Sequence, residues 1–205
     1  MLMKSKRLSK EEWICQNFQQ SLLEKTKIVN SVKIISGSLK GRVVKFDSTD
    51  SLRPTLGRIR ETLFNWLFDH THSANCLDLF AGSGSLGFEA ISRGASHCTF
   101  VELSKKNVDN IQQNINTFGL KNCDVIHQDA HQFISNSTNK FDLIFFDPPF
   151  ASSCYLWLDD VAKKILAPQG IIYLESSKTV ESNVLKAIKH KKTKSLYYGI
   201  YEQDR

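Results

Sequence analysis

The sequence of 205 residues has no apolar run of about 20 residues, the length that a membrane-spanning helix needs. Its start, Met1 to Glu12, is rich in Lys and Glu and has no apolar core, so we expect that this segment is not a secretory signal. The five cysteines are scattered and form no C-x-x-C pair, which argues against a zinc site and a disulfide framework. We therefore expect a cytoplasmic protein without a metal ion.

Acidic residues are also fewer than basic ones, 21 against 27, which gives a formal net charge of +6. The excess is concentrated in the first third of the chain. There the basic residues are Lys4, Lys6, Arg7, Lys10, Lys25, Lys27, Lys33, Lys40, Arg42, Lys45, Arg53, Arg58 and Arg60. Such a surplus attracts a polyanion, and nucleic acid is the usual candidate.

The first part of the chain predicts a helix, a hairpin and a second helix. A capping-box pattern at Ser9 favours a helix over Ser9–Thr26. Ser31–Ser36 and Gly41–Phe46 are predicted as the strands of a hairpin. After a seam near residues 47–54, Thr55 is a candidate cap for a helix that extends to His70, with Ile59, Leu63, Trp66 and Leu67 on its apolar face.

From residue 75 onward, strands and helices alternate, which is typical of a parallel sheet covered by helices on both faces. The predicted strands are Asn75–Phe80, His97–Glu102, Cys123–His127, Phe141–Phe146, Gly170–Glu175 and a closing strand within Ser195–Tyr201. Predicted helices follow these strands and end near Arg93, Phe118, Ser135 and Leu166.

A glycine-rich loop follows the first of these strands, at Asp78–Gly87. Glycines at Gly82 and Gly84 let the backbone turn sharply and approach a ligand closely, with a helix N-terminus facing it. Glu102 lies about 20 residues further on, where a carboxylate is expected to bind ribose hydroxyls. Both a dinucleotide and S-adenosylmethionine are compatible with this spacing.

Two further carboxylates bear on the choice of cofactor. Asp78, at the end of an apolar strand, favours S-adenosylmethionine, because a carboxylate there would organise the loop and accept hydrogen bonds from an amino-acid ammonium. The Asp129 carboxylate would either accept a hydrogen bond from the adenine amine or cap the helix that follows it. With Phe80 and Asp147, these residues and the loop glycines are the candidate cofactor ligands.

Asp147-Pro148-Pro149-Phe150 follows a buried strand, so it is expected at the edge of the sheet where ligands bind in open α/β folds. An exocyclic amine on a base is a poor nucleophile, because its lone pair is delocalised into the ring. Hydrogen bonds to the Asp147 carboxylate and the Pro148 carbonyl would favour a pyramidal nitrogen that attacks a methyl group in line. Phe150 would stack on the base. We predict these three as the catalytic residues.

These motifs resemble those of the class I methyltransferases that act on amino groups, and more specifically those of the bacterial RsmD family. The resemblance rests on Val32–Gly37, Gly41-Arg42, Leu52–Trp66, Cys76–Gly87 and Asp147–Phe150, and it extends from Val32 to the C-terminus. It implies a seven-stranded sheet whose last strand is antiparallel, and methylation of N2 of a guanine in 16S rRNA. It also implies RNA or cofactor contacts for Arg53, Thr55, Arg58, Arg60 and Asn65.

The sequence thus predicts an α/β, Rossmann-like methyltransferase in three segments. These are a basic helical extension (residues 1–30), a hairpin and linker (31–54) and the catalytic domain (55–205). S-adenosylmethionine is the expected cofactor, and the small ribosomal subunit the expected partner of a monomer. Two alternatives stay open: an adenine-N6 methyltransferase acting on DNA or RNA, and an rRNA-binding assembly factor without activity.

Overall fold

The computed structural model describes residues 29–47, 57–149 and 153–204, and its elements follow the predicted alternation. In chain order they are β1 (Val29–Lys33), β2 (Val43–Asp47), α1 (Gly57–Trp66), α2 (Phe68–Thr71), β3 (Asn75–Asp78), α3 (Ser85–Ser92), β4 (His97–Glu102), α4 (Lys105–Phe118), β5 (Cys123–His127), α5 (Ala130–Asn136), β6 (Phe141–Phe146), a 3₁₀ turn (Cys154–Trp157), α6 (Leu158–Ile165), β7 (Leu166–Ser176), β8 (Leu185–Lys192) and β9 (Tyr197–Gln203). None of the helices in these ranges is both long and apolar enough to cross a membrane.

Seven strands form one sheet in the order β5-β4-β3-β6-β7-β9-β8, while β1 and β2 form a separate antiparallel hairpin. The strands β3 to β7 are parallel to one another, and β9 is antiparallel to both β7 and β8. The predicted antiparallel seventh strand is therefore confirmed. The C-terminal ends of the parallel strands β3 to β7 lie along one edge of the sheet, which we call the carboxyl edge.

Two layers of apolar side chains cover the two faces of the sheet, and β6 lies between them. Leu143 and Phe145 point into the layer beneath α1, α3 and α4, whereas Ile144 and Phe146 point into the layer beneath α5 and α6. All four side chains are inaccessible to solvent. A strand buried on both faces explains why its sequence is a continuous apolar run rather than an alternating one.

The hairpin strands are Val29–Lys33 and Val43–Asp47, two to three residues away from the predicted bounds of Ser31–Ser36 and one to two from those of Gly41–Phe46. The helix predicted to extend to His70 ends at Trp66, and α2 follows it as a separate short helix.

The largest differences lie after residue 165. β7 begins at Leu166, four residues before the predicted start, and its pairing with β6 shifts between Phe141 and Leu143. The strand β8 was not predicted separately, because it is exposed along most of its length and has no alternating apolar pattern. The predicted helix at Ser9–Thr26 and the cap at Thr55 lie outside the described residues.

The hairpin is fixed to the sheet domain through a buried carboxylate on α3. The Glu89 side chain is fully buried and accepts hydrogen bonds from the backbone N–H groups of Ile35 (2.8 Å) and Ser36 (3.1 Å). It also accepts one from the Arg93 guanidinium at 2.8 Å. These bonds satisfy a charge whose burial would otherwise be costly, and they join chain segments more than 50 residues apart.

Two further contacts hold the ends of the hairpin. At its turn, the Leu39 N–H donates to the Ser92 hydroxyl (2.9 Å), and the Ser38 N–H donates to the Ser92 carbonyl (2.7 Å). On β2, the Asn114 amide of α4 accepts from the Lys45 N–H (3.0 Å) and donates to the Lys45 carbonyl (2.7 Å). The hairpin thus packs against both α3 and α4.

We expect Gly37→Ala to destabilise the protein more than Gly41→Ala. Both glycines have positive φ, 84° and 82°, so alanine costs each about 1–2 kcal/mol of backbone strain. A Cβ on Gly37 would lie 1.7 Å from the Ser92 carbonyl oxygen, whereas one on Gly41 would contact nothing within 4 Å. The clash should add about 1–3 kcal/mol to the loss at Gly37. Urea denaturation measures both, and equal losses would contradict the docking described above.

Candidate active site at the carboxyl edge

The loop between β3 and α3 turns through two glycines in the left-handed region of backbone space. Gly82 has φ 54° and Gly84 has φ 75°, a conformation that other residues rarely adopt. Gly84 is also buried, and a Cβ there would lie 2.9 Å from the Phe88 ring. Both glycines are therefore required by the loop itself, so replacing Gly84 would test the fold together with any ligand contact.

Glu102 lies at the end of β4, next to this loop, as the sequence predicts. One carboxylate oxygen accepts from the Gly82 N–H at 2.7 Å, and the other accepts from the Ser104 N–H at 2.6 Å. The side chain is only half-buried. It therefore orders the glycine loop and leaves lone pairs available at the carboxyl edge, where ribose hydroxyls could donate to them.

Asp78 is deeply buried beneath the same loop, with 3% of its surface exposed. Its carboxyl accepts a hydrogen bond from the Gly87 N–H at 3.1 Å, in the first turn of α3. Burial raises the pKa of Asp78 to about 7, against the lowering effect of that hydrogen bond, and the nearby Glu102 carboxylate raises it further. The structure thus supports the predicted loop-organising role, while an ammonium contact stays a prediction.

Two other candidate cofactor residues, Asp129 and Phe80, also lie at the carboxyl edge. Asp129 caps α5, accepting from the Gln132 N–H at 3.0 Å, so the capping alternative is observed. Phe80 is half-buried and packs edge-on against Phe146, with ring centres 5.3 Å apart. The sequence did not single out Leu103, whose side chain is 66% exposed beside Glu102 and offers an apolar surface for a flat ring.

Asp147 and Pro148 follow directly after β6, two strand positions from β4. Asp147 is half-buried and Pro148 is buried, while Phe150 lies outside the described residues. Burial, followed by the charge of Asp147, raises the pKa of Tyr155, whose hydroxyl donates to the Glu175 carbonyl at 3.0 Å. The Asp147 carboxylate is thus placed where the sequence predicts it, beside a tyrosine from the 3₁₀ turn.

A buried carboxylate at the end of β7 was missed in the sequence. Glu175 is almost inaccessible and accepts a hydrogen bond from the Tyr173 hydroxyl. Burial and the charge of Glu175 raise the pKa of Tyr173, which keeps the phenol protonated as a donor. The only sequence signal for this pair was an acidic residue at the end of an apolar strand, a pattern that Asp78 and Glu102 share.

The residues predicted to face RNA separate into three groups. Arg58 and Asn65 are exposed on α1, whereas Arg53 and Thr55 lie outside the described residues. Arg60 requires a correction, because it is buried and donates to the Lys33 carbonyl at 2.8 Å. Burial lowers the pKa of Arg60, and the nearby Glu89 carboxylate opposes that effect. Its role is to pack α1 against the hairpin, not to contact phosphate.

The sheet order, with the antiparallel strand β9 between β7 and β8, and the candidate site at the carboxyl edge define the class I methyltransferase fold. A solved Thermus thermophilus 16S rRNA N2 G1207 methyltransferase, in complex with AdoMet and guanosine, shares this fold. Its TM-score is 0.65 at 20% identity, covering 86% of this chain and 50% of that one.

Closer relatives identify the family. The family described as Conserved hypothetical protein 95 matches residues 32–202. The ribosomal RNA small subunit methyltransferase D of Haemophilus influenzae is 38% identical over 186 residues, 83% of this chain and 93% of the relative. The solved putative methyltransferase yhhF of Escherichia coli is 32% identical, with a TM-score of 0.78, covering 85% of this chain and 99% of that one. This chain belongs to that family, the RsmD family, as the sequence predicted.

The raised pKa of Asp78 predicts how Asp78→Asn changes stability with pH. Below about pH 4 the carboxyl is protonated in both the folded and unfolded chains. Between about pH 4 and 7 only the unfolded chain ionises, so the wild type loses stability as pH rises. We expect Asp78→Asn to gain stability relative to wild type across this window, by a few kcal/mol. Denaturant titrations of the cofactor-free proteins at pH 4, 5.5, 7 and 8 measure it, and a constant difference would be inconsistent with a buried carboxyl of raised pKa.

Proposed function

We propose that this protein transfers a methyl group from S-adenosylmethionine to the exocyclic N2 amine of a guanine in 16S rRNA. The observation that carries the proposal is the placement of Asp147 and Pro148 directly after the buried strand β6, at the edge that also holds the glycine loop and Glu102. Relatives named ribosomal RNA small subunit methyltransferase D support the rRNA substrate.

The residues at the carboxyl edge suit the proposed cofactor. Glu102 is already oriented by two backbone N–H groups and would accept from the ribose hydroxyls, and the exposed Leu103 would cover the adenine ring. Asp78 would complement the positive amino-acid end, and Asp129 would accept from the adenine amine with the oxygen that does not cap α5. When bound, S-adenosylmethionine supplies an electrophilic methyl group.

Asp147 and Pro148 provide the acceptors that the target amine needs. Two hydrogen bonds from the amine, one to the Asp147 carboxylate and one to the Pro148 carbonyl, would favour a pyramidal nitrogen, whose lone pair is no longer delocalised into the ring and can attack the methyl carbon. The carboxylate would also stabilise the positive charge that develops on nitrogen. Proline at position 148 restricts φ, which makes the turn rigid. Phe150, from the sequence pattern, would stack on the guanine.

Substitutions at Asp147 distinguish chemistry from binding. An interaction that strengthens in the transition state raises turnover more than ground-state affinity. We expect Asp147→Ala to lower single-turnover methyl transfer by about 100- to 1,000-fold with little change in cofactor affinity. Asp147→Asn should lose less, because its amide oxygen still accepts a hydrogen bond.

The assay uses unmethylated small-subunit particles, with nucleoside mass spectrometry of the product and a thermal melt of each variant. N2-methylguanosine is the expected product, and N6-methyladenosine would replace this proposal with the adenine alternative. A folded Asp147→Ala protein with near-normal turnover would refute the catalytic role. Activity that merely follows the folded fraction would assign Asp147 to stability alone.

The form of the substrate is a separate expectation. Recognition of an rRNA site within a particle should make the protein faster on small-subunit particles lacking the methyl group than on a short naked hairpin of the same sequence. Binding should also weaken as salt is added, because phosphate contacts release counterions. Rate measurements on both substrates at several salt concentrations check this, and equal rates on hairpin and particle would remove the case for ribosomal recognition.

A further inference from the structure

The most lysine-rich stretch of the described chain is β8 with the turn that follows it. Residues 186–194 contain five lysines and no acidic residue. Their side chains are exposed to solvent, and within the described part of the chain only Lys186 has carboxylate partners, Glu202 at 3.5 Å and Asp204 at 3.8 Å. The other four lysines add positive charge that the local structure does not neutralise.

Register places the C-terminal end of this stretch at the carboxyl edge. Ser176 at the end of β7 and Lys192 at the end of β8 both pair with Tyr197, the first residue of β9. The turn between β8 and β9 therefore lies at the same edge as Asp147. Since β6 and β8 are three positions apart in the sheet, the separation is roughly 14 Å at the usual strand spacing.

Two of the lysines lie on the face of the sheet against which α1 packs. Lys189 pairs with Ile200 and Lys191 with Tyr198, and both partners belong to the apolar layer beneath α1. The Lys191 ammonium lies 5.7 Å from the centre of the Trp66 ring, which is stacked on Tyr198. This contact orients the lysine without removing its charge.

The turn that presents Lys194 is held by hydrogen bonds at both ends. The Thr193 N–H donates to the Leu196 carbonyl at 2.7 Å, and the Leu196 N–H donates to the Thr193 hydroxyl at 3.1 Å. A groove of about 600 Å³ separates this turn from the start of α1, and it is lined by Gly57, Arg58, Ile59, Thr62, Thr193 and Tyr198. Arg58 thus lies across the groove from the turn.

We propose that Arg58, Lys189, Lys191 and Lys194, here called the basic strip, bind phosphates of the RNA strand beside the target guanine. This rests on the proposed function and extends it, because the excess positive charge of the sequence had been assigned to the first third of the chain. A polyanion that enters at Asp147 and continues along the flank of α1 would meet these four cations in succession.

Lysines on an edge strand have another established use, since they discourage pairing with a second sheet. That role needs charge on the strand but neither Arg58 across the groove nor a defined number of phosphate contacts. The two roles therefore predict different responses to salt.

The test is binding to unmethylated small-subunit particles over a range of salt concentrations, for wild type and for the double variant Lys189→Gln/Lys191→Gln. Affinity falls as salt is added, and each lost phosphate contact reduces the magnitude of the slope of log affinity against log salt by about 0.7–0.9. We expect the slope to fall by about 1.5 and low-salt affinity to weaken about tenfold, with KM rising more than turnover falls.

The matched control is Lys163→Gln/Lys164→Gln, which also removes two exposed lysines. They lie in the last turn of α6, just before β7 begins, and so at the opposite edge of the sheet. The control should keep the wild-type slope. Thermal melts and sedimentation of each variant separate loss of binding from unfolding or association.

An unchanged slope for Lys189→Gln/Lys191→Gln would overturn the proposal, and an unchanged slope together with aggregation would assign these lysines to edge protection. Methyl transfer is measured in parallel, so the two proposals can fail separately. A wild type that binds particles through the strip but transfers no methyl group would contradict the proposed function only. If the wild type methylates guanine but the salt dependence of binding is the same in wild type and in Lys189→Gln/Lys191→Gln, only the proposed role of the basic strip is contradicted.

Discussion

The carboxylate of Glu89 is fully buried and is bonded to two backbone N–H groups of the hairpin and to Arg93. A charge in such a place is tolerated only when its partners are complete, so the hairpin and α3 have to assemble together. The helix that carries Glu89 also begins at the glycine loop. Positioning of the hairpin and of the candidate cofactor site therefore depends on the same eight-residue helix.

Carboxylates that accept hydrogen bonds from backbone N–H groups also fix the glycine-rich loop between β3 and α3. Glu102 bonds to Gly82 and Ser104, and Asp78 bonds to Gly87, so both carboxylates fix backbone N–H groups around the turn. These hydrogen bonds are made within the protein and hold the loop in one conformation. Such preorganisation lowers the conformational entropy that would otherwise be lost on binding.

Charge is distributed over the molecule according to the two partners proposed for it. Glu102 and Asp147 are half-buried carboxylates at the carboxyl edge, where the positively charged proposed cofactor would bind, and Asp78 is buried beneath the loop next to them. Lysines of β8 and Arg58 lie on the flank, where a phosphate backbone would pass. With this separation of charge, the proposed target base would approach the carboxylates while its phosphates stay beside the lysines on the flank.

The sequence by itself determined the strand–helix alternation, the sharp glycine turn and the positions of Glu102 and Asp147, because each depends on local periodicity or on a residue at the end of a strand. It also contained the motifs of the family. It did not show that Arg60 is buried, that Glu89 holds the hairpin, or that β8 brings its lysines to the carboxyl edge. A polar residue on an amphipathic helix looks the same whether water or a distant backbone carbonyl satisfies it. Only the packing of segments far apart in the chain decides between the two, and only the sheet order decides which strand ends become neighbours.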